Sequence, residues 1–524
     1  MPEAKRVGLE RLRGFHLSPV ARASLLIAAL FAVDKPLDLF RQILIGRQFG
    51  VGAELDAFNA ANNLPDLLRA LITGGALSLA LIPVLSEVLQ RQGRPASWVL
   101  FSRVANLAFA VTAALAVLVA IFAEPIVRSP WGIAPGFSPE GQRLVVELMR
   151  LNVLALLLFS VSGLITSGLQ AHQHFFLPAL APVVYDLGQI VGALVLAPRA
   201  GLTIAGLHLP AFGLGVHGLV YGVIVGAALH LAVQLPGLSR FGFRWSPVFG
   251  WADPALRQIL ILMGPRLITI GAFQLMFVFQ DNLASRLAAG AVTALTYGWL
   301  IMQFPETLIG TALGTALLPT LSELFARGEH SAFSETVSRA LRVLLALTLP
   351  GAALLAVAVR PLVDSAFAFD AAGTELVVVA TRGFLMGLIG HAWLEVLARA
   401  WFARLQARPP LVARLANFVV FLGLGLVLFR PMGAFGIALA NSLGFTVEAA
   451  ILYVLLRRVH PAIGRAWSAL PRALTASIVA GGVAYAFAAW LPVSPLAAAF
   501  IGLALGGVAA LILIWPEIRE LRRL

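Results

Sequence analysis

An apolar stretch from about Ala23 to Gly46, long enough to cross a bilayer, carries Asp34, Lys35, Pro36, Asp38 and Arg41 where hydrocarbon-compatible residues are expected. A charge at mid-bilayer depth costs at least about 2.5 kcal/mol, so it persists only facing a protein interior or a water-filled cavity. The sequence therefore predicts a polar cavity inside a membrane. Helical spacing puts Asp34, Asp38 and Arg41 on one face with Lys35 beside them, so that face can pair its own acids and bases. Pro36 removes a backbone donor and favours a kink.

The rest of the chain calls for the same solvent. Hydrophobic residues make up 60% of 524 and charged ones 12%, with a mean hydropathy of +0.90, which a soluble domain could not carry without exposing an aggregating surface. Apolar runs of about 18 to 25 residues exclude a β-barrel, whose strands read as short alternating segments. Walking along the chain predicts an all-α polytopic protein of about fourteen membrane helices. The predicted spans are 22–48, 62–90, 99–123, 143–171, 177–198, 213–236, 258–288, 292–325, 335–363, 374–404, 409–430, 434–457, 470–490 and 494–516. A cleaved signal peptide does not fit, because Asp34 and Lys35 follow the first apolar run where a small-residue cleavage site belongs. There is no cysteine, which excludes disulfides, thiolate metal sites and cysteine nucleophiles.

Basic residues collect in alternate connections: Lys5, Arg6, Arg11, Arg13 and Arg22 before the first span, then Arg91, Arg94 and Arg103, then Arg240, Arg244 and Arg257. The series continues with Arg327, Arg339 and Arg342, with Arg404, Arg408 and Arg414, with Arg457, Arg458, Arg465 and Arg472, and with Arg519, Arg522 and Arg523. The positive-inside rule then puts both termini in the cytoplasm of a multi-pass protein. The net charge of +13 is mostly this topology signal and a contact with anionic lipid. Nucleic acid is excluded as a partner, since no loop is long enough for a basic soluble domain.

An internal repeat organises the helices. The second span holds Leu64-Pro65-Asp66-Leu67-Leu68, then Pro83-Val84-Leu85-Ser86-Glu87 and Arg91; the eighth holds Phe304-Pro305-Glu306-Thr307-Leu308, then Pro319-Thr320-Leu321-Ser322-Glu323 and Arg327. An even helix offset makes the copies parallel repeats about an axis along the membrane normal. This predicts a cytoplasmic segment 1–21, an N-lobe 22–240, a C-lobe 250–460, two appended helices within 468–516 and a basic cytoplasmic tail 517–524. Two six-helix lobes around a charged cavity suit alternating access.

At these residues the chain resembles a known family. Arg47-Gln48-Phe49-Gly50, Leu55-Asp56-Ala57-Phe58, Asn63-Leu64-Pro65-Asp66-Leu67-Leu68-Arg69 and Ile82-Pro83-Val84-Leu85-Ser86-Glu87 are similar to the opening of the MurJ (MviN-type) lipid II flippases. Those belong to the multidrug/oligosaccharidyl-lipid/polysaccharide exporter superfamily. Leu295-Thr296-Tyr297, Met302-Gln303-Phe304-Pro305, Leu317-Leu318-Pro319-Thr320-Leu321-Ser322 and Val396 through Arg404 extend the likeness. The resemblance implies a bacterial cytoplasmic-membrane carrier that moves an undecaprenyl-pyrophosphate-linked peptidoglycan precursor to the outer leaflet, in cell-wall biogenesis and cell shape. It implies cavity cations at Lys35, Arg41 and Arg69 and an outer-turn acid at Asp56. The chain departs from the family at Leu300, where an arginine is expected, and at Gln303 and Gly74, where acids are expected.

The chemistry asked of those cations is direct. A lipid-linked pyrophosphate crossing a low-dielectric core needs guanidinium or ammonium groups that hold phosphate oxygens through charge-assisted hydrogen bonds. Lys35, Arg41 and Arg69 are the candidates, with Asp34 and Asp38 in the same binding set; the competing role is pairing with Asp34, Asp38 or Asp66 to stitch helices together. In the C-lobe Asp281 with its neighbour Asn282, Asn417 and Asn441 offer hard oxygens for a coupling sodium ion or a proton relay, against the alternative that Asp281 pairs with Arg286 and the asparagines bridge helices. Glu306 and Glu395 have similar standing, and His391 reads as a packed histidine rather than a metal ligand. Trp98, Trp131, Trp245, Trp251, Trp467, Trp490 and Trp515 read as interface anchors, whereas Trp299 and Trp393 read as core.

No metal, cofactor or covalent chemistry is expected, for the sequence holds no H-E-x-x-H, Walker A or G-x-S-x-G phrase. The chain is read as a transporter, not an enzyme, driven by an ion gradient, membrane potential or the cargo's own gradient. Its expected partners are a polyprenyl-pyrophosphate-linked glycan, membrane lipids and cell-wall synthesis proteins. Two alternatives stay open: an exporter of another polyprenyl-linked glycan or amphiphile, and a transport-inactive scaffold that recruits cell-wall enzymes.

Overall fold

A computed structural model describes residues 19–71, 76–204, 207–250 and 253–521. The sequence signals at 1–18, Gly74, Trp251 and residues 522–524 fall outside these. The described chain is helical apart from loops and a small antiparallel hairpin, Leu202–Ile204 with Leu207–Leu209, in which Thr203 faces His208. It is an all-α, multi-pass membrane protein. Helix formation follows from medium as much as from propensity, since a backbone in hydrocarbon must satisfy every N–H and C=O internally.

Among the described residues ten helices are long and apolar enough to span a membrane, or eleven when Ala371–Leu385 and Leu388–Ala403, bent by 44°, count as one span. The sequence-based count of about fourteen is not reached on these terms, for identifiable reasons. Ala76–Arg128 and Arg408–Val459 are each interrupted by non-helical backbone, at Gly93 (φ 82°) and Gly433 (φ 57°). At 1.5 Å per residue either would measure about 80 Å, far more than a ~30 Å hydrocarbon core. Only glycine enters that left-handed region at no steric cost, so each is two helices joined at a glycine corner. The first helix, Pro19–Phe49, is the charged one, and its ionic residues keep it from qualifying by apolarity. It runs through Pro36 without ending there.

The second predicted span begins earlier, at Ala53, with Glu54 and Asp56 in its first turn, where acids favour the helix dipole. Both copies of the sequence repeat depart from α geometry after their first proline. Ala70 and Leu71 are π-wound after Pro65, and Glu306–Thr311 is π-helical after Pro305. A proline that removes an i→i−4 bond invites such local rewinding.

The chain divides into two compact units. The first comprises the described part of Met1–Leu44, with Leu68–Ala120 and Leu151–Arg266; the second comprises Ile45–Leu67, Ile121–Arg150 and Leu267–Leu524. The limits cut through several helices rather than following the halves of the repeat.

The first unit is built on Leu81, Leu85, Trp98, Phe101, Leu164, Leu169 and Ile259. Helices Phe176–Val191 and Val216–Ala232 cross closely within it: a Cβ on Gly192 would stand 2.6 Å from Gly222 Cα. Such small-residue crossings replace the hydrophobic driving force that lipid does not supply. Trp98, expected at the interface, is instead a core residue, 3% exposed, its Nε1 donating to Phe241 O at 3.1 Å. A buried indole needs such a partner, and the loop carbonyl provides it.

In the second unit His330–Phe367 is the central helix. Leu470–Trp490 and Pro495–Leu513 pack on it and on each other through Ala346, Ala476, Ala480 and Ala510. Trp393 is a core residue as expected, with Nε1 donating to Leu341 O at 3.0 Å.

Candidate functional site

The ionic residues of the first helix meet a partner that sequence reading missed. Arg41 pairs with Asp38 one turn back, and its Nε lies 3.4 Å from Asp186 Oδ1 on Phe176–Val191. The Arg41 side chain is only 13% exposed and that of Asp186 7%. Asp186 reaches it because its helix is drawn against Val216–Ala232 at Gly188 and Gly192. The signal was present: Asp186 is the lone carboxylate of the fifth predicted span, and lone acids at membrane depth are functional candidates. Lys35 differs from Arg41. Its side chain is 66% exposed and its Nζ sits 3.7 Å from Asp34, which is itself buried.

Arg69 is held differently again, its guanidinium carbon 4.9 Å from the centre of the Phe159 ring. Phe159 also meets Tyr185 and His230 edge to face, at 5.1 and 5.4 Å, so one ring links the Arg69 side of the unit to the residue beside Asp186. The ring face offers the cation an electrostatic seat. Behind it runs a polar belt. His230 Nδ1 and Ser162 Oγ are 2.6 Å apart, Gln234 Nε2 donates to Ser162 Oγ at 2.8 Å, and Thr166 Oγ1 donates to Gln234 Oε1 at 2.8 Å. The i, i+4 pair His230 and Gln234 in an otherwise apolar span was the readable clue.

The other predicted residues lie in the second unit. Asp56 is 1% exposed and accepts from Gly290 N at 2.6 Å and Thr293 N at 2.7 Å. It caps the helix Ala291–Pro305, where a carboxylate answers both orphan N–H groups and the dipole. Gly290, at φ 94°, turns its N–H toward that carboxylate, and a Cβ there would stand 2.7 Å from Val51 Cγ1. The segment Ile45–Leu67 is tied down further by Asn63 donating to Asp281, by Asn59 to Thr293 Oγ1 at 3.3 Å, and by Arg47 to the carbonyls of Ala366 and Ser365 at 2.6 and 2.7 Å. Both Asp56 and Asp281 thus serve one set of ties holding Ile45–Leu67.

Of the coupling-ion candidates, Asp281 and Asn417 have separate partners. Asp281 bonds Asn63, not Arg286, whose guanidinium donates to Pro130 O at 2.6 Å. Asn282 donates to Pro130 O at 3.0 Å and Gly132 O at 2.5 Å. Asn417 donates to Glu448 Oε2 at 2.7 Å, while Arg414 Nε sits 3.1 Å from Glu448 Oε1. Glu448, 2% exposed, already has a guanidinium counter-ion, so a sodium ion there would have to displace it. Asn441 is buried with its Oδ1 unbonded among the described residues. His391 stacks on Phe445 at 3.8 Å, as a packed histidine should, with Nε2 unbonded.

Comparison with known proteins now bears on this arrangement. The family model for "Lipid II flippase MurJ" matches residues 45–519. The chain belongs to the MurJ lipid II flippase family. A curated member from Burkholderia cenocepacia, "Lipid II flippase MurJ", is 30% identical over 446 residues, covering 83% of this chain and 84% of that protein. A "Probable lipid II flippase MurJ" from Rhizobium tropici is 29% identical over 455 residues, 84% and 82% of the two chains.

Among solved structures, a lipid II flippase MurJ in an inward closed conformation superposes with TM-score 0.75 at 20% identity, covering 95% of this chain and 99% of that one. An inward-facing MATE-family multidrug resistance transporter of the MOP superfamily gives TM-score 0.67 at 15% identity, over 82% and 96%. At these identities the likeness establishes the fold alone. The family match begins at residue 45, so the ionic face of the first helix lies just outside it.

Proposed function

We propose that this chain translocates lipid II, the cargo named for its relatives, from the inner to the outer leaflet by alternating access. Arg41 carries the reading. A guanidinium is kept in an apolar helix by two carboxylates, Asp38 and Asp186. A pyrophosphate diester brings about two negative charges and accepts the same bidentate hydrogen bonds. It can therefore compete with those carboxylates for Arg41, and an exchange of anionic partners leaves no charge naked in the membrane at either end of the cycle. Arg69, on its ring, and the exposed ammonium of Lys35 complete the set, with Asp34 and Asp38 as resting counter-ions.

The ties on Ile45–Leu67 fit the same cycle, since capping and amide bonds at one segment can be released and remade as a unit. The reading includes fourteen spans, two six-helix lobes over 22–240 and 250–460, helices at 468–516, and both termini on the cytoplasmic side of a bacterial inner membrane. The drive is a sodium or proton gradient, membrane potential or the cargo gradient, and cell-wall synthesis proteins are the expected neighbours. Leu300, standing where an arginine is expected, favours a second reading in which the head group is that of another polyprenyl-linked glycan.

The deciding experiment is complementation of a strain depleted of its own lipid II flippase. Wild type should restore growth, and Arg41→Ala and Arg69→Ala should not, at normal membrane abundance. Full rescue by both variants would refute the assignment.

A further inference from the structure

A second basic site lies in the first unit, away from Arg41. A cavity of about 630 Å³ is lined by Arg94, Arg240 and Arg244, with Trp98 and Phe241 as apolar wall and Ser239 and Ser246 at its edge. This volume falls within the range of small-ligand sites, about 300–1,000 Å³. Among the described residues none of the three arginines has a carboxylate within ion-pair distance. The acid near in sequence, Asp253, is engaged by Arg103.

The walls are fixed before any ligand arrives. Gly242 turns the chain at φ 68°, and the loop that follows is pinned to the helix bearing Arg94. Asn106 Nδ2 donates to Ser246 O at 2.9 Å and Val248 O at 3.1 Å, Trp245 Nε1 donates to Asn106 Oδ1 at 2.9 Å, and Ser246 N donates to Ser102 Oγ at 3.3 Å. Trp98 holds Phe241 from below and stacks on His172 at 4.2 Å. His172 and His174 adjoin the site, and both are pushed below the usual histidine range, by burial first and then by Arg94 and Arg240 respectively.

Three guanidiniums bordering one cavity repel one another, while the loop bonds hold together the backbone stretches that carry Arg94 and Arg244. Such an arrangement is stable when an anion shares them. Guanidinium forks select phosphate by bidentate bonding, and the serine hydroxyls add donors. We infer that this cavity binds a phosphate-bearing anion, either the headgroup of an anionic phospholipid or a soluble phosphate ester. On the proposed orientation it faces the cytoplasm, but the site itself rests on its own residues and not on the flippase reading.

The test uses purified full-length protein. Melting temperature is followed in phosphatidylcholine nanodiscs with and without phosphatidylglycerol or cardiolipin, and separately with added inorganic pyrophosphate. Wild type should be stabilised by several degrees in one arm. A gain from the anionic lipids alone identifies a headgroup, and a gain from pyrophosphate alone identifies a soluble ligand. R94Q/R240Q/R244Q should lose most of the gain, and R240Q and R244Q singly part of it, in wild type for the lipid arm and in the Arg41→Ala background for the pyrophosphate arm, which removes the share bound at Arg41. No gain in either arm, or a gain undiminished in the single and triple variants, overturns the site.

Discussion

Arg41 Nε and Asp186 Oδ1 stand 3.4 Å apart, joining the first helix to one more than a hundred residues downstream. With Asp38 on the other side, the guanidinium has two carboxylates for one charge. Removing Asp186 should therefore loosen Arg41 without stranding it. Losing one partner of a fully buried pair costs about 3–5 kcal/mol; with Asp38 retained, Asp186→Asn should cost about 1–2 kcal/mol by the same reasoning. The same variant should bind pyrophosphate more tightly than wild type, because one competing anion is gone. Thermal melts with and without pyrophosphate check both, and weaker binding in Asp186→Asn would mean that Asp186 orients Arg41 rather than competes for it.

Asp56 answers two backbone N–H groups at the start of Ala291–Pro305. Loss of such a cap costs about 0.5–2 kcal/mol. The expected consequence is release of Ile45–Leu67 more than unfolding. Since the chain has no cysteine, a single Ala57→Cys probe reports on that segment, Ala57 being fully buried. Maleimide labelling of Ala57→Cys should be slow, should speed up severalfold with Asp56→Ala, and should be intermediate with Asp56→Asn, which keeps one acceptor. Equal labelling in all three would remove Asp56 from the set of ties.

Arg414 and Glu448 bear on the coupling ion. Glu448 is met by an internal guanidinium and by the Asn417 amide, so sodium should raise the wild-type melting temperature no more than potassium does. Arg414→Gln would leave a buried carboxylate unpaired, at a cost of about 3 kcal/mol or more, and sodium should then recover part of the loss. A sodium-specific stabilisation of wild type that disappears in Glu448→Gln would show that an ion binds beside Arg414.

Much of this was written in the sequence. Charge inside the Ala23–Gly46 run, apolar period and the twin Pro-rich phrases announced a helical membrane carrier and its family. Membrane burial makes those signals strong, because every span must satisfy its own backbone. Partners were less legible. Arg41 was visible as a buried cation, but pairing with Asp186 depends on a glycine crossing that brings a remote helix within reach. Asp56 was legible as an outer-turn acid, but its bonds to Gly290 and Thr293 were not, because those partners lie more than two hundred residues away. The corners at Gly93 and Gly433 fall where the sequence divides its second span from its third and its eleventh from its twelfth. Trp98 was misplaced because a loop, not lipid, supplies its acceptor.

Gly192 and Gly222 hold together the helices that deliver Asp186, and their crossing leaves no room for a side chain. A Cβ on Gly192 would meet Gly222 Cα at 2.6 Å and Gly218 O at 2.9 Å. Both are backbone atoms that cannot swing aside, so the helices must separate, and overpacking of this kind costs about 1–3 kcal/mol. Gly192→Val should lower the melting temperature by several degrees and Gly192→Ala by less. Because separation carries Asp186 away from Arg41, both variants should also change pyrophosphate affinity in the direction seen for Asp186→Asn. Gly482 is the control: a Cβ there meets nothing within 4 Å, and Gly482→Ala should be neutral or mildly stabilising, since alanine is favoured over glycine in a helix by about 1 kcal/mol. If Gly192→Val melts like Gly482→Ala, the crossing does not set the position of Asp186.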